Sequence, residues 1–393
     1  MQNFVFHNPT KILFGRNTIP SVGSETVALG QKALLVYGQS SIKISGLYEQ
    51  VMNSLSEAGV TVVEHSGTRS NPLLDHVRQG IAKAKQEKVD VILAVGGGSV
   101  IDTAKAIAAG SVVEHDVWKF FIGKKSIKAT LPVVTVLTLA AAGSEMNSGM
   151  VITNQETQEK FGFGHRLLYP KVSLLDPEVT FTVPPDYTAY GAVDAIAHVL
   201  EFYMTTQDTD TPVQARLMEG LIQNAMASCE RCLADPCDYE GRANLMWTAT
   251  LALNGLTAAG LGRVGFPMHM IEHALSALYD VPHGAGLSVV MPGWLQWYKE
   301  QDAARIARLG QGILPADEFQ KLAGESDAVI AERTIAFLRT WFSKVNSPVT
   351  LAELDIPTED IPRIADNALS LAKVWRLDQY TPEIIRDILQ RCV

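Results

Sequence analysis

Short apolar runs alternate with longer amphipathic stretches between Lys32 and about residue 140. Uninterrupted apolar runs are typical of strands buried on both faces of a parallel sheet, and apolar residues at helical spacing between them indicate covering helices. The pattern predicts strands in the runs ALLVYG, VTVVEH, VDVILAVGGGS and LPVVTVLTL, with helices at 47–58, 73–88 and 100–109. The alternation at 8–15 fits one more strand. Strands separated by helices of this length predict an α/β unit with helices on both faces of a parallel sheet.

The pattern changes near Asp176, where Pro177, Pro184 and Pro185 punctuate the chain. After these prolines the sequence carries long helical patterns and almost no β-rich run. We therefore predict two domains, an α/β dinucleotide-binding domain at 1–185 and an all-helical metal-binding and catalytic domain at 186–393. Active sites commonly lie in the cleft between such domains.

The composition narrows the class of protein without naming an activity. A net charge of −9 with 19% charged residues gives no bulk attraction to nucleic acid or anionic lipid. Four cysteines in 393 residues do not make a disulfide scaffold, and the N-terminus lacks the pattern of a signal peptide. The apolar run at 131–143 is shorter than the ~20 residues that a membrane-spanning helix needs. We expect a cytoplasmic protein that acts on a small molecule.

A glycine-rich turn is the first candidate binding feature. Gly96, Gly97, Gly98 and Ser99 end a predicted strand and open a helix, with Asp102 one turn later. Glycines let the backbone approach an anion, and the helix N-terminus favours phosphate, with Ser99 placed to cap the helix or donate its hydroxyl. The turn matches neither standard dinucleotide nor P-loop spacing. It predicts a phosphate site, against the alternative of a tight turn without a ligand.

The turn after the first of these strands bears on the choice of cofactor. It reads Tyr37-Gly38-Gln39-Ser40-Ser41, with Lys43 just beyond. NAD sites commonly place an acid there to hold the ribose hydroxyls, and a 2′-phosphate requires its absence. The small polar residues and one cation favour NADP(H) over NAD(H). An ordinary polar loop is the alternative interpretation.

Five residues form a candidate metal site. Asp194 and His198 are four positions apart in a helical segment, as are His269 and His273, and His283 precedes a Gly-x-Gly turn. The i, i+4 spacing places two side chains on one helix face. One carboxylate with imidazoles suits Zn(II), Fe(II) or another first-row ion rather than Ca²⁺ or Mg²⁺. Spacing alone does not decide which four of the five ligate.

These residues lie in motifs that resemble the iron-dependent (group III) alcohol dehydrogenases, and most of all their NADP-dependent aldehyde reductase and butanol dehydrogenase branch. The motifs are NPTKILFG, GGGSVIDTAKAIA, LTLAAAGSEMNSGMVIT, LLDPEVTFTVPP, GAVDAIAHVLEFYMT and HMIEHALSALYDVPHGAG. The tail at 351–389 is similar as well, so the resemblance covers nearly the whole chain. It implies a dehydroquinate synthase-like fold, a homodimer, and hydride transfer between NADP(H) and a small primary alcohol or aldehyde.

The resemblance also implies roles for individual residues. The metal ligands would be Asp194, His198, His269 and His283, and His273 would face the nicotinamide and the substrate as the catalytic residue. Cofactor contacts would come from Gly38, Ser40, Lys43, Asn71, Gly97, Gly98, Ser99, Asp102, Thr138, Asn147 and Lys160. Within this set, Gly38, Ser40 and Lys43 would surround the 2′-phosphate, and Asp102 would steady the glycine loop. This chain has Ala142 where family members often carry threonine, which removes one hydroxyl near the cofactor.

Other readings of the same residues remain. A glycerol-dehydrogenase-like or dehydroquinate-synthase-like zinc enzyme would keep the fold, although the basic cluster that the second needs is missing beside the metal motifs. A metal-dependent hydrolase would need no dinucleotide site, and a non-catalytic regulator would show no turnover. The cysteines at 229, 232 and 237 follow helical periodicity, which favours packing over metal binding. Core packing is likewise the interpretation of Trp294 and Trp297.

Overall fold

The structure is a computed structural model that describes residues 1–207 and 210–393. Its strands are β1 (Lys11–Phe14), β2 (Lys32–Tyr37), β3 (Thr61–His65), β4 (Val91–Gly96), β5 (Val133–Leu137), β6 (Gly149–Asn154), β7 (Glu159–Gly164) and β8 (Val172–Leu175). The helices before residue 185 are α1 (Val22–Val27), α2 (Ser41–Ile44), α3 (Leu47–Glu57), α4 (Leu74–Glu87), α5 (Gly98–Gly110) and α6 (Trp118–Phe121). Those that follow are α7 (Pro185–Thr205), α8 (Pro212–Ala234), α9 (Tyr239–Ala252), α10 (Pro267–Tyr279), α11 (His283–Ile313), α12 (Ala316–Gln320), α13 (Asp327–Lys344), α14 (Ile361–Trp375) and α15 (Pro382–Gln390).

The first half is a parallel sheet with the strand order β1-β8-β5-β4-β2-β3. Strands β4 and β5 are buried along their whole length, as their uninterrupted apolar sequences predict. Leu35 lies opposite Leu93 and Val95 opposite Val136, so the central strands pack in register. The predicted α/β class and the four predicted strands and three predicted helices are confirmed, and the strand at residues 11–14 joins the sheet edge.

Two features of this half are absent from the sequence-based prediction. Strand β8 completes the sheet between β1 and β5, but its four residues lie directly before Asp176 and Pro177, which disguise it as loop. Strands β6 and β7 form an antiparallel hairpin apart from the main sheet. Glycines interrupt the alternation of apolar and polar residues that predicts a strand, namely Gly149, Gly162 and Gly164.

The second half is helical. Beyond Pro185, residues 186–207 and 210–393 form helices and turns without a strand. Pro185 occupies the first turn of α7, where its missing N–H costs nothing. Helix α7 is buried along most of its length against α8, α9 and α11. Helix α11 is two helical segments joined at Asp302, whose backbone angles are not helical. Among the described helices, none combines the length and apolarity that a bilayer span requires.

Candidate active site

A cleft of ≈ 880 Å³ brings together the two sets of residues that the sequence singles out separately. Its walls include Gly38, Gly96–Ser99 and Thr138 on the sheet side, at the ends of β2, β4 and β5. On the helix side they include Asp194, His198, His269, His273 and His283. Ligands of open parallel sheets bind outside the carboxyl ends of the strands, which is where this cleft lies.

Asp194 Oδ1 is the centre of a compact group of imidazoles. It lies 3.6 Å from His198 Nδ1, 3.6 Å from His283 Nε2 and 3.8 Å from His269 Nε2. Donor atoms around one ion bound at about 2 Å are expected at about 3–4 Å from each other. Asp194, His198 and His269 each offer a ligand atom within 4.8 Å of the other two, and His283 reaches this group through Asp194, so the set suits a divalent ion.

The hydrogen bonding of the group supports the same conclusion. Asp194 Oδ1, His198 Nδ1 and His269 Nε2 are buried and have no hydrogen-bond partner. A buried polar atom left without a partner costs about 1–3 kcal/mol, so three such atoms converging on one point are expensive. An ion bound among them would satisfy all three. The residues therefore fit the metal that the motifs imply.

Two buried glutamates orient the imidazoles. Glu201 Oε1 accepts hydrogen bonds from the Nδ1 (3.0 Å) and the backbone N–H (2.8 Å) of His269. Glu272 Oε2 is bonded to Nδ1 of His283. In both rings this leaves Nε2 facing Asp194, which is the arrangement in which a carboxylate fixes the tautomer of a metal-binding histidine. Sequence reasoning missed both glutamates.

A signal for these glutamates does exist in the sequence. Glu201 lies three positions after His198, and Glu272 lies three positions after His269. The i, i+3 spacing places each glutamate on the helix face of a candidate ligand. A search for carboxylates on the histidine-bearing faces would have found them.

Asp194 and His198 already have the protonation states that a metal needs, whereas His269 carries one extra proton. Burial raises the pKa of Asp194, but the surrounding His198, His283 and His269 outweigh burial and lower it. Burial lowers the pKa of His198 to about 3, so its ring is neutral. Burial lowers the pKa of His269, whereas Asp194 and Glu201 raise it to a net value of about 9. A metal has to displace that proton when it binds.

His273 stands apart from the Asp194 group. Its Nδ1 lies 3.0 Å from the carbonyl oxygen of Lys160, and since a carbonyl only accepts, Nδ1 carries the hydrogen. Burial and the nearby Lys160 ammonium lower the pKa of His273 well below its ordinary value, so the ring is neutral. Its Nε2 then has a free lone pair, and the residue lines the cleft.

Lys160 and Asn71 join the sheet side of the cleft to its metal end. Lys160 Nζ donates to Asn71 Oδ1 (2.9 Å) and lies 3.5 Å from Glu272 Oε2 and 3.3 Å from His283 Nδ1. Asn71 Nδ2 in turn donates to Val281 O (3.1 Å), two residues before His283. Both residues line the cleft; Lys160 reaches α10 and α11, and Asn71 reaches the loop between these two helices.

The glycine loop differs from expectation in two details. Gly97, not Ser99, occupies the N-cap of α5, and a side chain at Gly98 would come within 3.1 Å of Ala142 Cβ. Ser99 lies one position inside the helix and lines the cleft. The prediction that Asp102 steadies this loop is wrong: its carboxylate accepts from Ser144 and Val151 N, so it holds the segment opposite. The reason is that Asp102 lies a full helical turn beyond the loop.

Lys105, which sequence reasoning missed, holds the same segment. Its fully buried ammonium donates to the oxygens of Ser144 Oγ (2.9 Å), Asn147 O (3.0 Å), Asn147 Oδ1 (3.1 Å) and Gly149 O (2.8 Å). Asn147 lines the cleft, and its side-chain oxygen accepts hydrogen bonds from Lys105 and from the backbone N–H of Gly149. Lys105 is three residues after Asp102 in an apolar helix, which is the signal that could have identified it.

At the turn after β2 the structure keeps only part of the predicted set. Gly38 lines the cleft, whereas Ser40 and Lys43 do not, and Ser41 and Ser45 stand there instead. The Lys43 ammonium lies over the rings of Tyr48 and Tyr37, at 4.6 Å and 5.4 Å from their centroids. Attraction between a cation and aromatic faces accounts for that position.

Comparisons with known proteins agree on one family for this chain. Residues 9–177 match the family model described as "Iron-containing alcohol dehydrogenase", and residues 188–393 match "Fe-containing alcohol dehydrogenase family, C-terminal". The chain superimposes with a TM-score of 0.94 on the crystal structure of NADH-dependent butanol dehydrogenase A from Thermotoga maritima, with 44% identity over 100% of this chain and 99% of that one.

Two curated relatives give the range of cofactors. The probable NADH-dependent butanol dehydrogenase 1 of Bacillus subtilis is 42% identical over 99% of both chains. The NADPH-dependent aldehyde reductase YqhD of Escherichia coli is 35% identical over 93% of this chain and 92% of its own. Similar proteins thus carry both cofactors in their names.

Proposed function

The chain belongs to the family of iron-containing alcohol dehydrogenases and is an NAD(P)-dependent oxidoreductase, and from that premise we propose that it interconverts small aldehydes and primary alcohols with NADP(H). The observation that carries the proposal is that one cleft contains both the Asp194 group and a glycine loop of the kind that binds phosphate. A hydrolase would need the second of these features but not the first.

Asp194, His198, His269 and His283 would hold the divalent ion, Fe(II) or Zn(II). When bound, the ion would supply Lewis-acid polarisation of an aldehyde carbonyl, and the nicotinamide would supply the hydride. Glu201 and Glu272 keep the ligating rings oriented, as their hydrogen bonds indicate. His273, with its free Nε2 toward the cleft, would place the nicotinamide end and the substrate by accepting a hydrogen bond.

The nucleotide would lie along the sheet side of the cleft. Gly97, Gly98 and Ser99 would bind the pyrophosphate at the N-terminus of α5, with Thr138 and Gly149 opposite. The preference for NADP(H) is supported by the wall near Gly38, because Asp102 and Asp194 are the carboxylates that line the cleft within residues 1–207 and 210–393. Neither belongs to the turn after β2, so that turn presents no acid to repel a 2′-phosphate.

The test is a reductase assay with butanal. Protein is stripped with a chelator, reloaded with Fe(II) or Zn(II), and assayed with NADPH and with NADH. We expect activity only after reloading, and a higher kcat/KM with NADPH. Equal or better use of NADH would refute the cofactor preference alone. The absence of NAD(P)H consumption with any aldehyde would refute the reaction.

The alternatives on the same fold make different predictions. A glycerol-dehydrogenase-like enzyme would prefer a polyol over butanol, and a dehydroquinate-synthase-like enzyme would need basic residues for a phosphorylated substrate. Arg69 and Lys160 are the basic side chains of the described part of the chain that line the cleft. Lys160 is buried and paired with Glu272, and the exposed Arg69 alone does not make the basic cluster that such a substrate needs.

We further propose a cytoplasmic homodimer with a domain boundary near residue 185. Phe4, Val5 and Phe6 are 53%, 95% and 44% exposed, and they lead into β1 at the edge of the sheet. An apolar segment beside an unpaired strand edge favours burial against a second copy. Light scattering on the eluting protein should give twice the chain mass, and Val5→Asp should shift the measured mass toward that of the monomer.

The proposed cytoplasmic location is supported by the cysteines. Those at 229, 232, 237 and 392 are free thiols, which agrees with a reducing compartment.

A further inference from the structure

The outer edge of β7 is a row of hydrogen-bond acceptors for side chains of the helical half. Two of its carbonyl groups accept from side chains, Lys160 O from His273 Nδ1 (3.0 Å) and Gly162 O from Trp375 Nε1 (3.2 Å), and Gln158 O, in the turn just before β7, accepts from Asn367 Nδ2 (2.8 Å). Alternate carbonyls of a strand point to the same side, and the other side of β7 pairs with β6. One strand edge therefore fixes both His273 and Trp375.

Trp375 lies beside the metal end of the cleft. It is the last residue of α14, and Arg376, with φ at +57°, ends the helix and leaves the indole at the junction. The indole centroid lies 5.5 Å from that of His273 and 6.1 Å from that of Phe266. Phe266 in turn lies 5.5 Å from His269, one of the candidate ligands.

The indole is held on more than one side. Its N–H is bonded to Gly162 O, and a side chain at Gly162 would come within 3.1 Å of its Cζ2. Arg263 donates to the carbonyl of Arg376 (2.7 Å), which ties the end of α14 to the loop before α10. Swinging the indole away would break the bond to Gly162. We conclude that Trp375 is a fixed wall rather than a mobile side chain.

The surface around this wall is apolar. Phe266 contacts the indole, and the helical half contributes further aliphatic and aromatic residues to the cleft lining: Phe202, Leu253, Val264 and Leu377. Apolar walls of this kind bind the hydrocarbon part of a ligand and offer no partner for a charged group. Trp375 is the bulkiest of these side chains and stands closest to His273 among the aromatic contacts described above.

We propose that Trp375 is the specificity-determining wall of the aldehyde subsite and restricts the substrate to short, unbranched apolar chains. The proposal rests on the proposed function, because it takes the carbonyl group to lie between His273 and the Asp194 group. The tail of a longer or branched aldehyde would have to occupy the volume of the indole. Removing the indole opens that volume without touching the candidate metal ligands or the glycine loop.

The test compares two aldehydes, butanal and octanal, in the metal-loaded holoenzyme with NADPH. In Trp375→Ala, the ratio of kcat/KM for octanal to that for butanal should rise at least about tenfold, since single methylenes in a pocket are worth that much discrimination. Trp375→Phe keeps most of the bulk and should change the ratio far less. Gly162→Ala pushes on the indole and should lower the ratio. Trp297→Ala, an equal truncation outside the cleft lining, serves as the matched control.

Metal content and the KM for NADPH should stay at wild-type values in each variant. If Trp375→Ala fails to fold, Trp375→Leu carries the same test with less loss of packing. An unchanged ratio in a variant that still reduces butanal would overturn the specificity role of Trp375 and leave the proposed function intact. An equal rise in Trp297→Ala would also overturn it, because general loosening would then explain the change. A wild type that reduces neither aldehyde would overturn the proposed function and the wall together.

Discussion

Two buried polar clusters flank the cleft, and they differ in whether their hydrogen bonds are complete. Around Lys105, the ammonium has Ser144, Asn147 and Gly149 as acceptors, and Asp102 accepts from Ser144 and Val151. Around Asp194, three inward-facing atoms have no partner. Both clusters place charge in the interior, where an unpaired charge is costly.

The difference separates a cluster whose polar atoms satisfy one another from a cluster whose converging atoms fit a divalent ion. A complete network stabilises a single arrangement of the chain, in this case the 144–151 segment along the cleft. An incomplete network that converges on one point stores a destabilisation that a bound ion would relieve. The same low dielectric that makes the first cluster rigid makes the second a strong binding site. Substitutions in the two clusters should therefore have opposite consequences.

The largest expected effect is loss of activity in Asp194→Ala. Lewis-acid polarisation is worth several kcal/mol, so kcat/KM for butanal should fall at least about 10³-fold. NADPH binding, followed by fluorescence, should stay close to wild type because the glycine loop is untouched. Asp186→Ala, an exposed position on the same helix, is the control and should keep full activity. Retention of metal and turnover in Asp194→Ala would show that Asp194 does not hold the ion, and the contrast between the two clusters would fail.

The next largest effect concerns stability: we expect the Lys105 substitution to lower it, and the Asp194 substitution in metal-free protein not to lower it. Lys105→Met removes a fully buried cation from the oxygens of Ser144, Asn147 and Gly149 and takes away one of the two lysines whose charge acts on Asp102. The free energy of unfolding in urea should fall by about 3–5 kcal/mol, the cost of removing one partner from a buried charged network. Metal-free Asp194→Ala should unfold at the same denaturant concentration as metal-free wild type, or a higher one. Lys128→Met, at an exposed lysine, should be neutral. A stable Lys105→Met protein would contradict the structural role of this cluster.

Glu201→Gln and Glu272→Gln should weaken metal binding without abolishing it. Replacing carboxylates that orient metal-binding histidines typically costs 10–100-fold in metal affinity, and we expect a loss of about that size for each variant. Competition with a chromogenic chelator gives the affinity directly. Glu219→Gln alters a buried glutamate bonded to Tyr203 away from the cleft, and it should leave the metal affinity unchanged. Equal affinities in all three variants would show that the glutamates do not act on the metal.

The smallest effect is a pH dependence of the Lys105 cluster. Burial lowers the pKa of Lys105 from its ordinary 10.5 to about 8, with Asp102 and Glu145 acting in the opposite direction. Between those two values the unfolded chain binds more protons than the folded one, so stability rises with pH. The difference in unfolding free energy between wild type and Lys105→Met should therefore grow by about 1 kcal/mol or more from pH 7.5 to 9.5. A difference that shrinks over this range would have the wrong sign.

The sequence predicted the two halves of the cleft because each rests on a local pattern. Asp194 and His198 share a helix face by spacing, and the glycines at 96–98 follow an apolar strand. It missed Lys105, Glu201 and Glu272: the partners of Lys105 and Glu201 lie 39 and 68 positions away, and Glu272 meets His283 only across the turn between two helices, so the helix-face spacing of the glutamates hints at them without showing what they bind. Local pattern also did not show that the Lys43 ammonium lies over the rings of Tyr37 and Tyr48 rather than at the cleft wall.

Local sequence patterns also do not predict where the β6–β7 hairpin lies in the fold. Its outer edge is satisfied by side chains from α10 and α14, more than a hundred residues later. A short, glycine-containing hairpin outside the main sheet gives a weak signal on its own. Local pattern gives Trp375 no distinct role, and only the fold shows that it lines the cleft.

The most direct test of the metal centre measures metal content and butanal reduction in the same metal-stripped sample during stepwise addition of Fe(II) or Zn(II). Activity should rise in proportion to bound metal and reach its plateau at one ion per chain, while Asp194→Ala neither binds the ion tightly nor gains activity. Full NADPH-dependent activity in wild-type protein verified to be metal-free would contradict the assignment of the incomplete cluster as the reaction centre.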